Sequence, residues 1–317
     1  MERGHQASVV AGGPFPKKRR VRMGTDIACI LVSGIFYAST LFLVAAGLQV
    51  VFGVQKIFNL ACGSFYAMGA YMGITFVHLS GRMGVPPIFA LIPLIAGGLS
   101  IFFLGPIIER GLLKFIYDRD EHFQLILTFG LILIFEDITS FFWGTAPQST
   151  GEVYQTYGEI HLLGATFPVY VFIVILSSLI IAILIGYMLA RTKFGRTMRA
   201  TADNREVCEA LGINMKAVYV NVFTLGTVLG GLGGALVIPA TVAMTEMAAE
   251  LMAMSFAVVV IGGLGSIKGA FFGALVVGIL RCIAIATYPE AELFIIYLIV
   301  IGILVYKPEG LFGASSA

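Results

Sequence analysis

Charge is what this sequence lacks most. Asp, Glu, Lys and Arg make up 12% of its 317 residues, against roughly a quarter in an ordinary soluble domain. That shortage excludes a soluble globular enzyme. With 58% hydrophobic residues and a mean hydropathy of +0.95, a disordered chain is excluded as well. Cysteine is scarce too, and Cys29, Cys62, Cys208 and Cys282 have neither CxxC nor metal-ligand spacing. They read as small apolar residues rather than a redox or metal centre. His5, His78, His122 and His161 form no HExxH or other ligand pair. The chain also has no GxxxxGK[ST] phosphate loop, so it carries no nucleotide-hydrolysing site of that kind. No nucleophile and base are spaced for intramembrane catalysis. No cofactor is expected on this chain.

What is abundant is long apolar runs. A helix needs about 20 apolar residues to cross the hydrocarbon, and runs lie near 27–45, 47–60, 63–80, 86–109, 123–143, 169–190, 215–238, 251–266, 268–286 and 293–306. The expected fold is all-α, a polytopic transmembrane helical bundle of about eight to ten spanning or re-entrant segments. Run 47–60 is short for a crossing and reads as a re-entrant half helix. Glycines at Gly63 and at Gly262, Gly263 and Gly265 would let the chain break there. Broken helices at membrane depth are tolerated where they face protein or a water-filled cavity, so they mark a pathway.

Three regions follow: a basic tail over 1–24, a transmembrane domain over 25–306 and a short C-terminal tail over 307–317. The first tail ends in Lys17, Lys18, Arg19, Arg20 and Arg22 directly before an apolar run without a cleavage pattern. It reads as a positive-inside anchor ahead of an uncleaved helix, rather than as a nucleic-acid or nuclear-import segment. Intervals 144–168, 239–250 and 287–292 carry Glu152, Glu159, Glu246, Glu250, Glu290 and Glu292 and no Lys or Arg, so they should face outward. Intervals 110–121 and 191–216 are rich in Lys and Arg and should be cytoplasmic, as should Lys307. Both termini are then expected on the cytoplasmic side of the cell (inner) membrane, and residues 27–109 should cross an even number of times.

The basic interval RTKFGRTMRATADNREVCEALGINMK, Arg191–Lys216, is too polar to enter the bilayer. Met198, Ala202, Ala210 and Leu211 fall near helical spacing and Gly212 suits a helix stop. A short amphipathic helix parallel to the membrane is expected, either resting on anionic lipid or docking a cytoplasmic partner through Arg199, Asn204 and Arg205.

Four blocks, GLQVVFGVQKIFNLACGSFYAMGAYMG at 47–73, GRTMRATADNREVCEALGI at 195–213, VVVIGGLGSIKGAFFGALVVG at 258–278 and KPEGLFG at 307–313, stand in an order and spacing that resembles the branched-chain amino acid ABC transporter permeases. The first block is more similar to the LivH-type subunit than to its LivM-type partner. Cys62 stands where many members have His, and Lys268 where Pro is common. The resemblance implies a permease subunit of an ATP-binding-cassette importer for branched-chain amino acids or a similar small polar solute. Its implied partners are a second, LivM-like permease subunit, two cytoplasmic ATPases that use the ATP, and an external solute-binding protein. It also implies a coupling role for Gly195, Arg199, Ala200, Asn204, Ala210 and Gly212.

Asn59, Gly63, Gly263, Gly265 and Ser266 mark the expected breaks, where backbone groups would meet a zwitterionic solute. Packing is the competing reading of each glycine. Glu136, Asp137 and Arg281 lie inside apolar runs, where a charge costs several kcal/mol. An internal salt bridge from Arg281 to Glu136 or Asp137, or snorkelling to an interface, is expected, and Lys56 is expected near water. The Gly-broken pairs 47–80 and 251–286 suggest an internal repeat. The competing function is an ion-coupled secondary transporter or channel.

Overall fold

The computed structural model describes residues 23–117, 119–162, 164–307 and 310–312. The basic cluster Lys17–Arg22 therefore lies outside the described residues, as do Pro308, Glu309 and Gly313 of the C-terminal block.

Helix α1 runs over Met23–Gln55, α2 over Cys62–Arg82, α3 over Leu91–Ser100 and α4 over Leu104–Gly111. A 3-10 turn joins α3 to α4, so the two read as one pass. Helix α5 covers Glu121–Trp143, α6 Gly151–Thr156 and α7 Val169–Arg191. Before α7, strands β1 (Glu159–Leu162) and β2 (Ala165–Pro168) pair antiparallel. Helices α8 (Lys193–Asp203) and α9 (Arg205–Ala210) are short and polar. They precede α10 (Met215–Val237), α11 (Met247–Gly262), α12 (Ile267–Thr287) and α13 (Glu292–Tyr306). Six stretches are long and apolar enough to span a membrane: α1, α3–α4, α5, α7, α10 and α12. Helix α2 has the length with a more polar composition, and α11 and α13 are shorter apolar helices.

Helix α10 is the axis: 89% of its apolar window is buried, against 28% in α5 and α7. Small residues explain how so many helices reach it, since in lipid close backbone packing replaces hydrophobic burial as the associating force. A Cβ on Gly234 would overlap the Tyr66 carbonyl, and one on Gly69 the Gly231 carbonyl. A Cβ on Gly47 would come within 2.6 Å of Gly226 O, and one on Gly105 within 2.7 Å of Thr224.

These contacts orient the passes. Gly47 meets Gly226 while Gln55 Nε2 donates to Tyr219 O at 2.8 Å, so α1 runs antiparallel to α10. Helix α2 starts beside Gly230 and reaches Ala235 at Gly73, parallel to α10. Gly97 lies against Gly73 and Gly105 against Thr224, so α3–α4 returns. Trp143 Nε1 donates to Thr75 Oγ1 at 2.8 Å, which places the end of α5 beside the outgoing part of α2.

The bundle thus has an acidic end and a basic end. At the acidic end Gln148 and Ala243 exchange backbone bonds of 3.0 and 2.7 Å, and Tyr170 donates to Leu236 O at 2.7 Å. At the basic end α8 and α9 pack on the last turns of α1 through Val50, Val54, Met198, Cys208, Met215 and Tyr219.

Two expectations need correction. The helix does not break near residue 46: α1 continues to Gln55 because Gly47 serves close packing against α10 rather than a turn. The runs at 27–45 and 47–60 are therefore one element. The number of crossings over 27–109 is odd, namely α1, α2 and α3–α4, so Met23 lies at the acidic end, opposite the Arg191–Lys216 interval. Lys307 does lie at the basic end, since Leu311 N donates to Ile261 O beside the last turn of α11.

Candidate pathway and coupling surface

The first joint lies between α1 and α2. Lys56 N still donates to Phe52 O at 3.0 Å, and Lys56 then takes a φ of 57°, a left-handed conformation uncommon for a residue with a side chain. The turn sends the chain back along the bundle. It is extended through Asn59, which is buried and accepts from Ala61 N at 3.1 Å through its Oδ1. The amides of Ile57, Phe58, Asn59 and Leu60 have no protein acceptor among the described residues. Thr128 Oγ1 lies 3.3 Å from Phe58 O while donating at 2.9 Å to Gln124 O. Free backbone groups at membrane depth require water or a polar ligand. The rings of Phe52, Phe58 and Phe256 flank this joint, with centroids 4.7 and 6.1 Å apart. Gly63 is the second residue of α2, and its missing side chain lets the helix rest on the Ala248 carbonyl.

The second joint, between α11 and α12, is closed. Gly263 has a φ of +97° and Gly265 one of +81°, which only glycine adopts without strain. Gln49 of α1 clamps the turn, its Nε2 donating to Gly263 O at 2.8 Å and its Oε1 accepting from Gly265 N at 2.5 Å. Ser266 Oγ accepts from Gly269 N at 3.0 Å and so caps α12. Leu311 N and Phe312 N donate to Ile261 O and Gly262 O at 2.8 and 3.0 Å, covering the end of α11. Leu311 and Phe312 of the family-like C-terminal block thus cover this turn.

The structure brings Asn59 and Gly63 together at one joint and Gly263, Gly265 and Ser266 at the other. Sequence reasoning missed Gln49 and Thr128. A buried Gln in an otherwise apolar helix was the available signal, because such a side chain must find a partner.

The expected single amphipathic helix is two. Thr192 Oγ1 caps α8 by accepting from Gly195 N at 3.1 Å. Asn204 ends α8 in an extended conformation and caps α9, its Oδ1 accepting from Val207 N at 3.0 Å. Gly212, with φ +80°, stops α9 as expected, and its N donates to Glu209 O at 3.0 Å. Asn214 caps α10 in the same way, at 3.2 Å. Met198, Thr201 and Cys208 are buried against the bundle. Arg199, Ala200, Asp203, Val207, Ala210 and Leu211 form the surface, with Leu211 75% exposed. Gly195 sits where a Cβ would overlap the Leu189 backbone, so it locks the corner between α7 and α8. Asn204 and Arg205 are engaged internally, the latter with Glu209 at 3.0 Å and over the Tyr219 ring.

Arg281 does form an internal salt bridge, with different partners from those expected. It pairs with Glu250 at 3.0 Å and with Glu292, and stacks 4.0 Å from the Tyr37 ring centroid. Glu136 and Asp137 sit on another helix and make no ion pair among the described residues. Among those residues no His, Cys, Asp and Glu cluster could hold a metal.

A family model described as branched-chain amino acid transport system / permease component matches residues 30–304. A probable branched-chain amino acid transport permease LivH of Methanocaldococcus jannaschii is 26% identical over 302 residues, covering 90% of this chain and 92% of that protein. The high-affinity branched-chain amino acid permease BraD of Pseudomonas aeruginosa is 22% identical, covering 89% and 94%. The fructose import permease FrcC of Rhizobium meliloti is 26% identical over 264 residues, covering 79% and 72%. No solved structure matches significantly.

Proposed function

The chain belongs to the branched-chain amino acid transport permease family, and from that premise we propose that it forms the pathway of an ATP-driven importer for branched-chain amino acids or a related small polar solute. The observation that carries the proposal is the capped pair α8–Asn204–α9. It is seated rigidly on the bundle and presents Arg199, Ala200, Asp203, Val207 and Leu211 outward, with Gly195 and Gly212 fixing its two ends. That surface docks a cytoplasmic ATPase, the source of the energy this chain does not generate. A second permease subunit, LivM-like, completes the pathway, two ATPases drive it, and an external binding protein delivers solute.

The basic end is cytoplasmic under the positive-inside rule, which puts Lys307 inside and the Met23 end of α1 outside. The solute passes the joint 56–61, where unpaired amides and the carboxamide of Asn59 meet its charged groups while Phe52, Phe58 and Phe256 accommodate an apolar side chain. Gly63 lets the start of α2 rest on α11, Gly263 and Gly265 make the turn between α11 and α12, and Ser266 fixes the start of α12.

The test is co-purification of the full chain with its ATPase. Arg199→Glu combined with Leu211→Asp should abolish the complex without lowering thermal stability, because both side chains are on the surface. Uptake by the purified chain alone in liposomes, driven by an ion gradient, would overturn the proposal in favour of a secondary transporter.

A further inference from the structure

Two grooves lie end to end along the seam between α3–α4 and α10, away from the joint at 56–61. The first, of about 620 Å³, lies at membrane depth and is almost wholly apolar, lined by Leu99, Phe102, Phe103, Phe194, Leu225 and Val228. The second, of about 960 Å³, lies where these helices end at the basic end, and its walls include Glu109, Arg110, Lys114, Arg205, Glu209 and Lys216. The two meet on α10, where Thr224 lines one and Val220, one turn earlier, lines the other.

Charge in the second groove is unbalanced by its own bonding. Glu109 is buried and accepts from Tyr117 Oη at 3.0 Å, and Glu209 is taken by Arg205 at 3.0 Å. Burial, followed by the neighbouring Glu109, pushes the Tyr117 phenol well above its ordinary range, so it remains protonated as that donor. Arg110, Lys114 and Lys216 are on the surface and form no salt bridge among the described residues, Glu109 acting on Arg110 and Lys114 only through space. Exposed Leu112 and Phe115 stand beside them, at the level where apolar surface gives way to polar. Asn221, exposed at the junction of the grooves, is placed for ester carbonyls.

An apolar slot continuous with a socket of three surface cations outside any salt bridge has the chemistry of one ligand: acyl chains below an anionic phosphodiester headgroup. We infer that the α3–α4/α10 seam is a specific site for an anionic phospholipid, with its phosphate held by Arg110, Lys114 and Lys216. The bound lipid props α9, through Arg205 and Glu209, against the end of α4. A protein partner would be expected to bring carboxylates to the cations yet would leave the apolar slot at membrane depth unfilled, so the paired grooves favour lipid. The inference does not depend on the transport proposal and stands if that proposal fails.

The test counts bound lipid by native mass spectrometry on the full chain, equilibrated with phosphatidylglycerol or phosphatidylcholine. Preferential retention of phosphatidylglycerol is expected, falling about fivefold for each of Arg110→Gln, Lys114→Gln and Lys216→Gln. Leu225→Trp, which fills the slot and leaves the cations intact, should lower retention of the same lipid. Equal retention of the two lipids, or selectivity that survives the triple substitution, would overturn the inference. So would full displacement by inorganic phosphate, which marks an anion socket without an acyl site, or displacement by the ATPase, which marks a protein interface.

Discussion

Between Gln55 and Cys62 the backbone runs extended past several amides that bond to no protein group. Between Gly262 and Ile267 nearly the same task, joining an arriving helix to a departing one, is done with the Gly263 carbonyl and Gly265 amide held by Gln49, the Gly262 carbonyl held by Phe312 N, and the start of α12 capped by Ser266. Both joints flank the last turns of α1, and the pairs they connect cross-contact, α1 with α12 and α2 with α11. The two pairs run in the same sense, whereas their joints differ in shape. A bundle that seals one of two comparable breaks and leaves the other open separates their work: the closed one holds helices, and the open one keeps the free backbone groups that the proposed pathway requires.

Hydrogen exchange tests that contrast most directly. Peptides covering 57–60 should exchange faster than those covering 262–266 by roughly two orders of magnitude, because only the second set must open a bonded turn. Equal rates would erase the distinction. Next in size is Gln49→Leu, which strips partners from Gly263 O and Gly265 N. A loss of about 2–4 kcal/mol is expected, read as a lowered thermal midpoint of the purified chain. Gly263→Ala forces a side chain into a left-handed φ and should lower stability by about 1–3 kcal/mol, again by thermal unfolding. Lys56→Gly acts in the opposite direction at the open joint, relieving a strained φ. It should raise stability by about 1 kcal/mol or leave it level if the gained chain entropy offsets the relief. A marked loss there would show that the Lys56 side chain, not the backbone, holds the joint.

Apolar periodicity and length placed nearly every helix, because each pass must bury its own backbone bonds within one apolar run. The boundaries of α5, α7 and α12 fall within two residues of the runs that foretold them. The joint after α1 was misplaced because a glycine serving a helix contact and one serving a turn look alike in sequence, and only the approach of Gly226 separates them. Polar side chains beside breaks were similarly ambiguous. Asn204 and Ser266 have the composition of binding residues and the geometry of caps. The partners of Arg281 come from α11 and α13, so no local pattern could select Glu250 and Glu292 over Glu136 and Asp137. The end of the bundle taken by Met23 was misjudged for a related reason: the basic cluster before it was weighed above a count of the apolar runs in 27–109, which fold as three passes.

The unbroken length of α1 has a consequence for the surrounding bilayer. Its 33 residues extend about 50 Å, against about 30 Å of hydrocarbon. One end is pinned by Gln49 and Gln55 to neighbouring backbone, so the mismatch cannot be shared between the two leaflets. Near Met23, where Ile27 and Leu31 are already on the surface, the helix emerges by however much the membrane is too thin. Helix α1 therefore acts as a gauge fixed at one end, whose free end rides up or down with bilayer thickness.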